Sequence, residues 1–202
     1  IWIFDLGFAI VECGMARRTG LFGGSFDPVH FGHLILARDA MEQLSLDRMV
    51  FIPAAISPHK LDDPPAPADA RLEMLRESVK GEPGFEVDDC ELRREGPSFT
   101  VDTVRGYRER FPDDELFYFI GDDNIAKLNT WREIDTLRRL ARFVVMSREG
   151  GAVPDEFLRV HRRLELSSTE VRNRVARGLS IRYLLPESAC DVIYRRGLYR
   201  HE

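Results

Sequence analysis

Residues 23–33 read GGSFDPVHFGH, which sets two imidazoles, His30 and His33, three residues apart around a glycine. The stretch follows a short apolar run, and a helical pattern opens near Phe31, so both rings stand at the mouth of a helix. An i, i+3 pair on a first turn faces one way, and both rings can reach one ligand. A helix N-terminus already draws anions through its unsatisfied N–H groups and its dipole. Imidazole adds donors whose charge changes near neutral pH. Gly23 and Gly24 let the backbone approach a ligand closely, and Pro28 fixes the turn. This set suits the grip on a polyphosphate whose charge shifts during reaction.

Other chemistries fit less well. Zinc needs a third and a fourth ligand, and His59, His161 and His201 show no metal-site spacing, so no metal ligands are assigned. Ser25 lies in G-G-S-F-D rather than in the G-x-S-x-G elbow of a Ser-His-Asp hydrolase. Neither a Walker A sequence nor G-x-G-x-x-G is present. An isolated H-x-x-H would read equally well as capping or buried histidines. The glycine context just past a strand favours ligand binding.

Further candidates lie along the chain. Lys60, in SPHK, offers a flexible ammonium. SSTEVR matches a capping box, with Ser167 as N-cap and Glu170 three residues on. That creates a second helix N-terminus with Ser168, Thr169 and Arg172 in its first turns. Trp131, in NTWREI, is an indole able to stack on a flat ring. Asp122 and Asp123 are short acceptors suited to a ribose or a metal.

The elements that must position these residues alternate in type. Strands are predicted at residues 19–22, 49–52, 85–87, 116–120, 143–146 and 164–166. Helical spacing links Leu34, Ala37, Met41 and Leu44, then Leu72, Leu75 and Val79, then Val101, Val104 and Tyr107, then Ile134, Leu137 and Leu140. This alternation predicts an α/β, doubly wound, mostly parallel sheet, with a small helical cap at the C-terminus. GGSFDPVHFGH follows the first strand, AAISPHK the second, GDDN the LFYFI strand, SREGG the FVVM strand and SSTEVR the LEL strand. Ligands of open parallel sheets bind past the carboxyl ends of the strands, so these loops predict one composite site.

The 202 residues are enough for one domain. Residues 1–14 form an apolar run interrupted by Asp5, too short to span a bilayer and without the basic start of a signal peptide. They are expected to be an upstream extension outside the fold, leaving 15–202 as a single domain whose helical part covers about 167–202. A net charge of −5 argues against nucleic acid or an anionic membrane as partner. Cys13, Cys90 and Cys190 are odd in number and widely spaced, which fits reduced thiols and a cytoplasmic location. No coiled coil or interface stripe shows, so a homo-oligomer stays open.

Taken together, these motifs resemble bacterial nicotinate mononucleotide adenylyltransferases, of the H-x-G-H nucleotidyltransferase superfamily. The resemblance rests on GGSFDPVHFGH, SPHK, GPSFTVDT, GDD followed by TW, and SSTEVR, in order from about Thr19 to Tyr199. It implies a Rossmann-like nucleotidyltransferase fold and a reaction in which ATP and nicotinate mononucleotide give deamido-NAD and pyrophosphate, with Mg²⁺ accompanying the ATP. It implies that His30, His33, Lys60 and Arg172 serve the phosphates, with Gly23, Gly24, Ser25, Phe26, Ser168 and Thr169 around them. Phe99, Thr100, Thr103, Gly121, Asp123 and Trp131 would hold the mononucleotide, the indole on the nicotinate ring and the amides around Phe99 and Thr100 on its carboxylate. The chain departs from the pattern at Glu149, where proline is frequent, at Asp122, where a small residue is usual, and at Phe99, where tyrosine is common. A sister transferase with another phosphorylated acceptor would share the histidines but has no need of PSFT or Trp131. A nucleotide-sensing module would tolerate losing a phosphate-binding cation, and this chain keeps all four.

Overall fold

The computed structural model describes residues 16–55, 65–147 and 153–200. The expected extension at 1–14, Lys60 and residues 148–150 lie outside them. Strands β1 (Arg18–Gly24), β2 (Arg48–Pro53), β3 (Phe85–Val87), β4 (Glu115–Gly121), β5 (Arg142–Ser147) and β6 (Leu158–His161) form one sheet in the order β3-β2-β1-β4-β5-β6. Every ladder in it is parallel. The order runs outward in two directions from β1 and β4, so the chain reverses between them. Their carboxyl ends border the crevice where such sheets bind ligands.

Side-chain alternation explains why helices cover both faces. Along β4, Phe117 and Phe119 join the core beneath α1 (Phe31–Gln43), α2 (Ala68–Val79), α5 (Ser168–Ala176) and α6 (Glu187–Arg196). Leu116, Tyr118 and Ile120 point the other way, toward α3 (Thr100–Arg110) and α4 (Ile134–Leu140). Strands buried on both faces read as continuous apolar runs, as RMVFIP and ELFYFIG do. The C-terminal helices α5 and α6, expected as a cap, share the core of α1 and α2. Arg195 and Arg196 tie α6 to Glu73 on α2.

One strand differs from expectation. Residues 164–166 carry no strand pairing, and β6 lies earlier, at Leu158–His161. This is an edge strand, and only Val160 of its residues is buried, so its apolar signal is weak. Leu164 and Leu166 spend their side chains on the core while their backbone leads into α5.

The amino-terminal edge of the sheet is tied together by a buried ion pair. Asp114 accepts from Thr19 Oγ1 at 2.8 Å, from Arg48 Nη2 at 3.0 Å and from the Arg17 N–H at 3.1 Å. Burial opposes its charge, but these bonds outweigh it and hold the carboxyl below the usual carboxylate range. A depressed carboxyl contributes stability that is present above its unfolded pKa of about 3.9 and is lost as pH falls through the folded value. Asp114→Asn leaves the buried Arg48 with only the half-exposed Glu86, 3.5 Å away, as a carboxylate partner. We expect a loss of about 3–5 kcal/mol in urea unfolding at pH 7, with the gap to wild type narrowing in acid. Activity per folded molecule should persist, since the site lies at the opposite edge.

Among the described residues, no helix is long and apolar enough to cross a membrane. Cys90 and Cys190 are free thiols, and burial pushes Cys90 up to about 11, which keeps it unreactive. Cys13 lies outside the described residues.

Candidate active site

The carboxyl ends of β1 and β4 open into a cleft of about 570 Å³. Gly23, Gly24, Ser25, Phe26 and His33 line one end of it. Phe99, Thr100, Gly121, Asp123 and Trp131 line the other. The sequence places these groups as far apart as Gly23 and Trp131, and the parallel topology brings them to one edge.

At the first end, His30 caps α1 and is 1% exposed, while His33 is half-buried and faces the cleft. The two rings stack with centroids 3.8 Å apart. The His30 N–H donates to His33 Nδ1 at 3.2 Å. A ring that accepts at Nδ1 carries its proton on Nε2, which makes that nitrogen the donor for a ligand. The glycine between the histidines has a steric reason. A Cβ on Gly32 would lie 2.9 Å from both Cε1 and Nδ1 of the buried His30 ring. Phe26 sits at φ +46°, a conformation costly for a bulky residue. Its ring is 2% exposed and meets His33 edge-on at 5.2 Å, so packing holds the strained turn and orients the imidazole.

The second helix N-terminus docks against this turn. Ser167 accepts the Glu170 N–H at 3.1 Å, the expected cap. Ser168 Oγ donates to the Pro28 carbonyl at 2.9 Å, and Arg172 Nη1 to the Asp27 carbonyl at 2.8 Å. Arg172 also lies 3.7 Å from the Asp27 carboxylate and 3.2 Å from Thr169 Oγ1. Ser168, Thr169 and Arg172 therefore stand behind the turn rather than among the cleft's lining residues. Arg71, 1% exposed, donates to the Ser25 carbonyl at 2.7 Å, and Tyr199 Oη donates to Asp27 Oδ1 at 2.7 Å. The turn is thus bound from below by α2, α5 and the C-terminal segment.

At the second end, Trp131 meets Tyr118 edge-on at 6.2 Å and Phe143 at 6.3 Å. It follows a 3-10 segment, Asp122–Thr130, that begins where β4 ends. Asp123 Oδ1 accepts from Asn124 Nδ2 at 3.0 Å, and Asp122 receives the Ser147 hydroxyl at 3.4 Å. The Phe99 N–H is taken by the Pro97 carbonyl at 3.0 Å. The donors this turn presents are therefore those of the first turn of α3, from Thr100 on. Thr103 stands apart from the cleft lining: it is 3% exposed, with its hydroxyl between Glu91 and Arg94.

Sequence reasoning missed Tyr118, Glu91 and Arg132, all of which line the cleft. Tyr118 joins the two ends: a Cβ on Gly23 would come within 2.5 Å of its hydroxyl, which also lies 3.3 Å from Thr100 Oγ1. Burial raises this phenol well above its ordinary pKa, so it remains a neutral hydroxyl. Arg132 lies over the Phe99 ring, 4.8 Å from its centroid. Glu91 stands close to Asp88 and Asp89 in the sequence, with nothing local to mark its burial, which comes from Thr103 packing over it.

A parallel sheet in this order, with a phosphate-suited helix mouth at its reversal point, defines a nucleotide-binding α/β protein. The cytidylyltransferase-like family model matches residues 21–174. A probable nicotinate-nucleotide adenylyltransferase of Opitutus terrae is 44% identical over 191 residues, covering 91% of this chain and 98% of the relative. Another, of Thermus thermophilus, is 46% identical over 187 residues, covering 91% and 100%. The solved structure of Plasmodium falciparum nicotinic acid mononucleotide adenylyltransferase complexed with NaAD superposes with a TM-score of 0.75 at 18% identity, covering 91% of this chain and 97% of that one. At that identity the likeness concerns the fold. The chain belongs to the cytidylyltransferase-like family and, within it, to the nicotinate-nucleotide adenylyltransferases.

Proposed function

We propose that this chain transfers the adenylyl group of ATP to nicotinate mononucleotide, giving nicotinate adenine dinucleotide and pyrophosphate, a step of NAD biosynthesis. The observation that carries the reading is the two-ended cleft. His33 and the Gly23–Phe26 turn stand at one end and Trp131 with the α3 N-terminus at the other, with Tyr118 between them. Such a site holds two nucleotides side by side.

A 5′-phosphate oxygen of the mononucleotide attacks the α-phosphorus of ATP. The new O–P bond forms as the bond to the β-phosphate oxygen breaks, and pyrophosphate leaves with the electron pair. No protein nucleophile is needed. The chain's work is to align the two phosphates and to stabilise charge as it moves onto the leaving group. His33 donates from Nε2 into that charge, and His30 fixes the ring from behind. Arg172, drawn from its place beside Asp27, and Lys60 supply positive charge. Mg²⁺ enters with the triphosphate. Among the described residues no group of three or more His, Cys, Asp or Glu side chains is arranged to hold a metal ion; bound with the triphosphate, the cation would supply positive charge against the phosphate oxygens.

Trp131 stacks on the nicotinate ring. Its indole N–H, buried with no hydrogen-bond partner among the described residues, is a donor for the same ligand. The first-turn amides of α3 receive the carboxylate, and Asp123 takes ribose hydroxyls. Stacking of a base on an aromatic side chain contributes about 1–3 kcal/mol. Trp131→Ala should therefore raise the Kd for nicotinate mononucleotide about ten- to hundredfold in titration calorimetry, with a non-hydrolysable ATP analogue bound as before. Weakening of the ATP analogue alone would reverse the two ends of the cleft.

A further inference from the structure

Glu91 is 4% exposed and Thr103 3%, and together they form a polar knot inside the wall of the cleft. Thr103 Oγ1 donates to Glu91 Oε1 at 2.6 Å and accepts from Arg94 Nη2 at 2.5 Å. Ser98 also lowers the pKa of the same carboxyl, and its Oγ accepts the Ala55 N–H at 3.0 Å. Arg94 lies 3.8 Å from Glu91, on the outer side. One carboxylate thus joins the end of β2, the turn at 97–99 and the first turns of α3. Glu91 and Ser98 also line the cleft beside Phe99, Thr100 and Tyr118.

A buried carboxylate is costly and persists only where its oxygens are hydrogen-bonded. Apart from Arg94, the groups that meet Glu91 belong to the turn or to the helix that follows it. Burial raises the Glu91 carboxyl above its usual range, and Thr103, Ser98 and Arg94 work against that shift, so the group's hydrogen-bonding capacity is turned into the wall rather than toward the ligand.

We propose that Glu91, acting through Thr103 and Ser98, is a positioning residue for acceptor recognition. It sets the 98–100 turn so that the α3 amides select a ring carboxylate over a carboxamide. The inference rests on the acceptor assigned above. It moves Thr103 from a direct substrate contact to a support of the turn that makes the contact.

Glu91→Gln and Thr103→Val keep the buried volume, and Thr103→Ser keeps the hydroxyl. With pyrophosphate release as readout, the first two should raise KM for nicotinate mononucleotide about tenfold, the scale of one lost or misdirected hydrogen bond. They should lower the preference over nicotinamide mononucleotide by a similar factor and leave KM for ATP within about twofold. Thr103→Ser should behave as wild type. Equal rises in both KM values, or a fall in kcat with KM and preference unchanged, would overturn the proposal. Amide hydrogen exchange of the ligand-free protein tests the knot without any acceptor. Thr103→Val should speed exchange at residues 98–101 and leave α1 unchanged, and unchanged exchange there would also overturn it. If wild type fails to use nicotinate mononucleotide, the acceptor assignment fails, and the exchange result still decides whether Glu91 sets the turn.

Discussion

His33→Ala should lower kcat about a hundred- to a thousandfold, the loss that follows removal of one preorganised donor from developing charge. The ring faces the cleft with Nδ1 already occupied by the His30 N–H, so its remaining function is donation from Nε2. The fold should survive, because His33 is half-buried and its neighbours Phe26 and Phe22 keep each other at 5.3 Å. Single-turnover rates with saturating ATP and acceptor, read beside a thermal melt, separate the two effects. Near-wild-type turnover in a folded His33→Ala protein would remove this imidazole from the chemistry.

Gly32→Ala sets two effects in opposition. Alanine is favoured over glycine by about 1 kcal/mol in a helix interior and by less in the first turn, where Gly32 stands. The added Cβ, however, would lie 2.9 Å from two atoms of the His30 ring, which is 1% exposed and cannot move aside freely. The ring must shift, and His33 is stacked on it at 3.8 Å. A displacement approaching 1 Å at a catalytic group costs about a hundredfold in rate. We therefore expect kcat to fall about a hundredfold while the melting midpoint changes little. Full activity would show that the glycine between the histidines is not required by packing.

These predictions draw on geometry that was only partly legible in the sequence. The β1 turn, the capped α5 and the parallel, doubly wound sheet follow from local signals: glycines after an apolar run, a Ser-x-x-Glu box, strands alternating with helices. The Leu164–Leu166 stretch misled because alternation of leucine and glutamate looks like a strand. The backbone there pairs with nothing in the sheet, and the real edge strand shows only Val160 to the core. Thr103 was expected at the ligand because it follows PSFT, yet one helical turn carries its hydroxyl inward to Glu91. Tyr118 looked like core, and it is core. What the sequence could not show is that its hydroxyl ends between Gly23 and Thr100, residues that meet only once β1, β4 and α3 are assembled.

On this reading one cleft holds ATP and a nicotinate-bearing acceptor for direct adenylyl transfer. Pyrophosphate release from ATP and Mg²⁺ tests it most directly, measured with nicotinate mononucleotide, with nicotinamide mononucleotide and with no acceptor. Release should depend on acceptor and be strongest with the nicotinate form, accompanied by an equal amount of nicotinate adenine dinucleotide. Release that ignores the acceptor, or none with nicotinate mononucleotide, would contradict it.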